Sequence, residues 1–468
     1  MLSVPSIRNL LCKQLFLAAL TLGMWPSVFA QDNSPLSRYG MGDLVPNQNV
    51  SSRAMGGVSA AYSDPGIVGA PFSINFINPA SLGSLSQTRN FSNIIFDLGG
   101  EIQTRTLKST KTPDKYSSTN VLISYLQIGV PLSSRKMEKK GHSVGMSLGL
   151  RPTTRINYKI ETNTRIAGVD SMNTLYEGSG GLYKANVSIG YKITGNGKHK
   201  NEFSIGVGSG FHFGNRNFST RLTPINDSVA YYKSNAENRS RMSGIFVDAG
   251  FQYLLRFNTG AGLRIGGYAN LKHTLRAYQS TINETFGYDV SGGVYVIDSV
   301  SSQTDVPGNV DMPMTLGAGF CYHSKNRNWL IAADVEKTYW NDFRYFNDPV
   351  SAADNWVFRA GAEFFPAKAN TVNIKYWNYV KYRAGFYFGP DYIRLNDQRN
   401  QYAFTAGASF PLTTPRYAQS RGEYVALNTA FEIGSRGSQT STSFRENIFR
   451  LNIGISMNAR WFQKRSYD

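Results

Sequence analysis

Cysteine is nearly absent from this chain of 468 residues, in which only Cys12 and Cys321 occur. If the first thirty residues are removed, as argued below, Cys321 is the only thiol and no intramolecular disulfide can form. A small secreted fold held together by disulfides is therefore excluded. Histidine is also scarce, and its five copies show no metal-ligand spacing, so neither a metal site nor a cofactor is predicted.

The sequence also carries no clear sign of catalysis. Cys321 has no recognisable base partner, and His212 and His323 lie among small or aromatic residues on predicted strands, where a structural role is expected. We therefore assign no catalytic residue and predict that the chain is not an enzyme.

Long apolar runs are missing beyond residue 30, so no membrane-spanning helix is predicted. Residues 1–30 have the pattern of a secretory signal peptide, because Arg8 and Lys13 precede the apolar run 15–24 and small residues end the segment at Ala30. Cleavage is expected before Gln31. Cys12 precedes the apolar run, so lipidation of the mature chain is not predicted.

Acidic residues are outnumbered by basic ones, 31 against 49, which gives a formal net charge of +18. Removing the two bases of the leader lowers this charge to +16. A basic chain suits nucleic acid, anionic lipid headgroups or acidic ligands. Export makes nucleic acid the least favoured of these, and no nucleic-acid partner is predicted.

The dominant positive feature is alternation of apolar with polar or small residues from about residue 90 onward, the period of a strand with two different faces. The clearest case runs from Phe449 to Trp461, where seven apolar residues alternate with polar or small ones. Strands are predicted at 90–105, 118–132, 143–160, 181–194, 201–214, 241–256, 260–278, 313–324, 328–340, 355–366, 371–388, 400–412, 421–434 and 446–462.

Fourteen strands, joined alternately by short connections and by longer ones such as 161–180, 215–240 and 279–312, are typical of outer-membrane proteins. The predicted fold class is an all-β transmembrane antiparallel β-barrel at 89–462, in contact with outer-membrane lipid, with 463–468 as a periplasmic tail. The alternative is a soluble all-β protein such as a propeller or a secreted adhesin. The glycine and polarity of one strand face disfavour it.

Residues 31–88 differ from the rest of the mature chain because they show no sustained alternation and are rich in turn-forming residues. They nevertheless contain apolar anchors that a solvated tail does not need. These are Phe72, Ile74, Phe76, Ile77, Leu82 and Leu85. The segment is therefore predicted to fold inside the barrel as an N-terminal hatch.

Five residues are expected to seat this hatch. Gly56 and Gly57 permit close approach of the backbone to the wall, Asn78 can bond nearby main chain, and Pro79 restricts the backbone before Ala80.

The mature chain resembles the FadL-type long-chain fatty-acid transporter family. The resemblance begins with AMGGVSAAY at 54–62 and NPASL at 78–82 and continues at 313–320, 333–335, 359–364 and 382–385. It implies a fourteen-stranded barrel closed by an N-terminal hatch, and passive uptake of hydrophobic molecules. In that family a kink in the third strand opens the wall sideways, which makes Arg151-Pro152 a candidate lateral gate. Alternatively, Pro152 marks the point where the strand leaves the bilayer.

Strand alternation also places basic and aromatic residues inside the predicted barrel, where bases can bind an anionic ligand group. The candidates are Arg264, Lys272, Arg276, Lys375 and Arg383. The alternative is that luminal bases pair with luminal acids such as Asp334, Glu336 and Glu363.

Two functions follow from these observations. The first is uptake of hydrophobic or amphipathic small molecules, of the long-chain fatty-acid type, across the cell outer membrane. The second is a non-transporting role as a structural subunit of an outer-membrane assembly or secretion complex, with other subunits as partners. Residues 37–44 favour the second function because they differ from the usual start of the FadL-type family.

Overall fold

The computed structural model describes most of the chain after the predicted leader. The described residues are 34–64, 73–85, 93–108, 115–165, 170–197, 200–225, 229, 231–367, 375–394, 399–414, 423–437 and 445–460. The predicted signal peptide, Phe72 of the hatch, Trp461 and the predicted periplasmic tail lie outside the described residues.

Fourteen antiparallel strands form the wall, as the alternation predicted. They are β1 (Asn93–Lys108), β2 (Lys115–Pro131), β3 (His142–Arg165), β4 (Ser171–Thr194), β5 (Glu202–Pro224), β6 (Lys233–Arg256), β7 (Gly262–Asn270 and His273–Tyr288), β8 (Val294–Met312 and Thr315–His323), β9 (Trp329–Thr338), β10 (Asn355–Phe364), β11 (Lys381–Pro390), β12 (Asn400–Pro411), β13 (Tyr424–Arg436) and β14 (Arg445–Arg460).

The ring closes by pairing the last strand with the first. β14 and β1 run antiparallel from Arg445 opposite Lys108 to Arg460 opposite Asn93. Closure leaves no free sheet edge at this position, which is what a strand wall in lipid requires. The predicted fold class, a barrel of fourteen strands with a luminal hatch, is confirmed.

The two faces of the wall separate by polarity as alternation requires. On β14, Ile453 and Ile455 are more than two-fifths exposed on the outside, whereas Asn452 and Ser456 are fully buried on the inside. The barrel therefore presents an apolar surface outward and a polar lining inward.

The short elements lie in the hatch and in the connections. The hatch contains 3-10 helices at Pro35–Arg38 and Pro79–Ser84, a two-residue plug strand at Asp43–Leu44, and α1 at Val50–Arg53. The connections contain α2 (Arg135–Lys139), 3-10 helices at Trp340–Asp342 and Tyr376–Tyr379, and a strand pair at Arg344–Tyr345 and Asp348–Pro349. Among the described residues, no helix is long and apolar enough to cross a membrane.

The three long connections predicted at 161–180, 215–240 and 279–312 are mostly strand, so this part of the prediction is wrong. The β3–β4 ladder continues to Arg165 opposite Ser171, and neighbouring hairpins extend in the same way. Polar cross-strand contacts support these extensions, as where Lys159 lies 3.4 Å from Glu177. Because both faces of the extensions meet water, the sequence there has no apolar alternation to reveal a strand.

A one-residue bulge inside β7 overturns two predicted luminal positions. Asn270 pairs with Asp248 of β6 and Arg276 pairs with Ser243, so β7 advances six residues where β6 advances five. The extra residue turns the side chains of the second part of β7 to the opposite face of the wall. Leu275 consequently lies inside the barrel and is fully buried, whereas Lys272 and Arg276 are exposed.

Lys375 is also not luminal. The prediction extended strand eleven from 371 to 388, but β11 begins at Lys381, and Lys375 is an exposed residue directly before the 3-10 helix at Tyr376–Tyr379. Residues 371–374 lie outside the described residues.

The change of face in β7 predicts which thiols react in the folded barrel. In a variant lacking Cys321, Arg276→Cys should be labelled rapidly by a hydrophilic maleimide, whereas Leu275→Cys should remain protected until the barrel is denatured. Mass spectrometry of the labelled protein measures both. Labelling of Leu275→Cys with protection of Arg276→Cys would restore the face assignment that uninterrupted alternation predicts.

Candidate functional site

The hatch lies in the lumen with its backbone directly against the wall. Gly56 and Gly57 adopt the left-handed region, with φ of 71° and 87°. A Cβ on Gly56 would lie only 2.5 Å from the carbonyl oxygen of Phe386 on β11. The Gly56 amide donates to the Thr405 hydroxyl on β12 over 2.8 Å. Both the backbone conformation and the close approach therefore require glycine here.

Glycines of the wall provide the matching half of this contact. A Cβ on any of them would come within about 3 Å of a hatch atom, so the side-chain-free positions form the seat of the hatch. They are Gly129, Gly145, Gly190, Gly206, Gly250, Gly266, Gly361, Gly385, Gly407 and Gly454.

Asn78 links the hatch to the opposite side of the wall. Its side-chain amide donates to the carbonyl oxygens of Ala60, Phe251 and Gly267 at 2.6, 3.1 and 3.2 Å. Its side-chain oxygen accepts from the Ala80 amide over 3.0 Å, which caps the 3-10 helix that Pro79 begins. These contacts occupy Asn78 in a structural role.

Buried ion pairs hold the first half of the hatch. Asp43 of the plug strand accepts from Arg105 on β1 at 2.7 Å and from Arg436 on β13 at 2.8 Å. Burial disfavours the charged carboxylate, but the two guanidinium groups outweigh this effect and hold the pKa of Asp43 well below its usual range. Arg53 of α1 pairs with Glu101 on β1 and also donates to Asn452 on β14.

The second half of the hatch is bound in the same manner. Asp64 pairs with Lys381 on β11 over 2.5 Å. Asp334 on β9 accepts from the amides of Ser59 and Ala60, the latter over 2.7 Å. Removing one member of such a pair leaves a buried charge without its partner, which costs about 3–5 kcal/mol. The hatch is therefore a firmly attached plug.

The two remaining predicted luminal bases point into the barrel. Arg383 donates to Glu363 over 2.8 Å, as the alternative of paired luminal charges predicts. Arg264 is buried with its Nη1 lacking a hydrogen-bond partner among the described atoms. Glu336, another predicted acid, pairs with Arg359 over 2.9 Å.

A cavity of about 230 Å³ remains between the hatch and the wall. An apolar cluster that includes Met41, Leu275 and Trp340 adjoins this cavity, since Trp340 also lines it. The cavity is lined by apolar residues including Leu44, Val45, Ile77, Met312 and Val357, and by polar or charged residues including Arg151, Thr153, Lys184, His212, His273 and Glu336. It offers space and mixed chemistry to a small amphipathic molecule.

The wall has an incomplete seam beside this cavity. The β2–β3 ladder ends where Leu126 pairs with Leu150, one residue before Arg151-Pro152, while β3 continues to Arg165. On β2, Val121 and Ile123 border the seam and are 72% and 70% exposed.

The plug strand takes the place of β2 along this part of β3. Asp43 pairs with Arg155 and Leu44 with Thr154, and the Val45 amide donates to the Thr153 carbonyl oxygen over 3.0 Å. Part of the β3 backbone that β2 leaves unpaired, at residues 153–155, is thus met from inside by the hatch. The alternation of the sequence does not predict this partnership, and the only sequence signal near it is the departure of residues 37–44 from the usual FadL-type start.

Two stretches of the Gly-x-Ser-x-Gly type surround Ser143 and Ser147, but both serines lie within β3. In hydrolases the nucleophile of this motif lies on a strand-to-helix turn, so the backbone here does not match. The described residues contain no cluster of three His, Cys, Asp or Glu side chains able to hold a metal.

Solved structures of similar fold are channels and transporters. The chain is 13% identical to the CymD monoaromatic hydrocarbon channel, covering 91% of this chain and 100% of that one, with a TM-score of 0.50. The chain is 15% identical to the Pseudomonas putida toluene transporter TodX, covering 90% of this chain and 100% of that one, with a TM-score of 0.52. It is 10% identical to a Pseudomonas aeruginosa FadL homologue, covering 90% of this chain and 99% of that one, with a TM-score of 0.51. At such identities the similarity concerns the fold alone.

A family model described as BamG matches residues 11–468. No curated protein matches the sequence. The resemblance to FadL-type barrels therefore holds at the level of fold, while the matching family model is a different one.

The glycine contacts predict how the hatch is released. Gly56→Val and Gly385→Val should each destabilise hatch seating by about 2 kcal/mol, because a side chain at either position overlaps backbone of the other partner. Protease cleavage within 34–64 and single-channel leakage should increase. Gly197→Val is the matched control, since a Cβ there meets nothing within 4 Å. Wild-type protection and conductance in both seat variants would contradict a tightly docked hatch.

Proposed function

The chain belongs to the BamG family, and on that premise we propose that it is an outer-membrane barrel for passive uptake of hydrophobic or amphipathic small molecules. The route leads from the cavity through the seam between β2 and β3 into the membrane. The protein acts without catalysis, and the hatch moves locally during passage.

One observation carries this proposal: the cavity and the incomplete seam share residues. Leu44 of the plug strand pairs with Thr154 of β3 beside the seam, and both residues also line the cavity. A molecule in the cavity is therefore separated from the seam by two short backbone segments. Among the described residues, the β2–β3 ladder has six residue pairs, whereas the ladders between the other neighbouring wall strands have seven or more.

The substrate class follows from the same surroundings. Apolar side chains such as Val45, Ile77 and Met312 favour a hydrophobic body, and the charged residues of the lining favour a polar end. The channels of similar fold are described as carrying monoaromatic hydrocarbons or toluene. A long-chain fatty acid is the substrate that the FadL-type resemblance suggests, and it belongs to the same amphipathic class.

Locking the seam should stop uptake if this route is used. Leu44→Cys and Thr154→Cys, combined in a variant lacking Cys321, place two thiols on paired positions of the plug strand and β3. Oxidation should join them, and uptake of radiolabelled toluene or dodecanoate by cells lacking the native gene should fall to background. A reductant should restore it.

Each single-cysteine variant is the control and should be insensitive to oxidant. Uptake that persists in the oxidised double variant excludes the seam as the route. Uptake no greater than that of the deletion strain, with wild-type protein present, excludes transport itself.

A second function, that of a structural subunit in an outer-membrane complex, is favoured by an open strand edge. On β8, residues 294–308 pair only with β7 among the described residues. Val296 and Val300 on this edge are 55% and 69% exposed. An exposed apolar edge is suited to pairing with a strand of a partner protein.

This second function predicts a partner that depends on the β8 edge. Gentle purification followed by mass spectrometry should recover a stoichiometric outer-membrane protein with the wild type and lose it with Val296→Asp and Val300→Asp combined. Tyr232→Asp, at an exposed position outside this edge, should retain it. Equal recovery with every variant would exclude the edge as the contact.

A further inference from the structure

Arg151 on β3 is a buried luminal cation at the edge of the cavity. Its side chain is buried, with only 4% of the residue exposed, and no carboxylate lies within ion-pair distance among the described residues. Nη1 donates to the Phe76 carbonyl oxygen at 3.3 Å, the guanidinium lies 5.0 Å from the Phe76 ring centroid, and Nε has no partner. A buried guanidinium with unused donors is costly unless something else satisfies it.

A second buried cation lies on the adjacent strand. Lys184 on β4 is 7% exposed, and its Nζ lies 3.9 Å from Asp248 Oδ1 and 4.3 Å from the Phe246 ring centroid. The Asp248 oxygen itself makes no hydrogen bond among the described atoms, so the contact is a long ion pair. Arg151, Lys184 and Asp248 together carry an excess of one positive charge.

Neutral donors complete this end of the cavity. Thr153 Oγ1 lies 2.9 Å from His212 Nε2, and His212 Nδ1 lies 3.0 Å from His273 Nε2. Both histidines and Thr153 line the cavity with the two cations. The other cavity-lining arginines differ from Arg151 because each pairs with an acid at 2.9 Å or less, as Arg359 does with Glu336.

We propose that Arg151 and Lys184 form a binding subsite for the oxyanion headgroup of an amphipathic molecule whose apolar part lies against Ile77 and Met312. The subsite rests on the proposed uptake function and assigns its ligand a negative charge. A carboxylate or a phosphate monoester supplies the acceptors that the Arg151 donors lack, and Arg binds either group through its planar fork. The headgroup then lies one residue from the end of the β2–β3 ladder.

Equilibrium binding to the purified full-length barrel in a nonionic detergent tests the subsite. The probes are octanoate, octyl phosphate and octanol, which share a chain and differ in headgroup. The wild type should bind at least one anion more tightly than octanol, and the tighter anion identifies the headgroup. Arg151→Gln should weaken that anion by about tenfold to hundredfold, the range for loss of a charge-assisted hydrogen bond, and leave octanol unchanged.

Lys184→Met should weaken the anion in the same direction. Arg221→Gln, which alters a partly exposed base on an extended hairpin, should have no effect. Because Arg151→Gln removes an unpaired buried charge, its melting temperature should equal or exceed that of the wild type, which separates binding from folding.

Equal weakening of octanol and the anions, or wild-type anion binding by Arg151→Gln, would overturn the subsite. Either result leaves the seam experiment unaffected, since toluene uptake through the seam needs no anion site. Conversely, anion binding that depends on Arg151 in a barrel that transports nothing would retain the subsite and reject uptake.

Discussion

The obligation to pair every backbone amide and carbonyl where water is excluded governs this molecule. Among the described residues, the thirteen pairs of consecutive strands and the closing pair β14–β1 meet this obligation through the wall itself, except along β3 beyond Leu150 and along residues 294–308 of β8. Beyond Leu150, β2 departs from β3, and the plug strand supplies partners from inside the lumen. The hatch consequently both closes the lumen and supplies hydrogen bonds to the wall. The plug strand lies beside the seam, where β3 has no pairing with β2.

The use of charge in the lumen follows from the same demand. Most buried bases form ion pairs that hold the hatch or join neighbouring strands. Arg105 pairs with Asp43 of the hatch, and Arg383 pairs with Glu363 of the adjacent strand. Arg151 differs from these bases because it contacts the Phe76 ring and the Phe76 carbonyl oxygen but has no carboxylate within ion-pair distance among the described residues. The luminal bases therefore divide into a majority held in ion pairs and a few, Arg151 among them, that have no close carboxylate among the described residues.

Alternation was sufficient to predict all fourteen wall strands and the inward direction of Arg264 and Arg383, because lipid on one side and a polar lumen on the other impose a period of two. It failed for Arg276, since a single inserted residue in β7 reverses every later side chain and leaves no mark in composition. The contact of Arg53 with Asn452 joins residues 399 positions apart, and the pattern of a single sequence contains no signal for such a pair.

The glycine seat of the hatch has a consequence for biogenesis. Its glycines are spread from β2 to β14. The last of them, Gly454, lies on β14, the strand that completes the ring, and faces Val50 of the hatch. The seat is therefore unfinished until the C-terminal strand has been inserted. A nascent barrel stalled before β14 would lack a closed wall and a fully docked hatch at the same time, so complete hatch docking requires the insertion of β14.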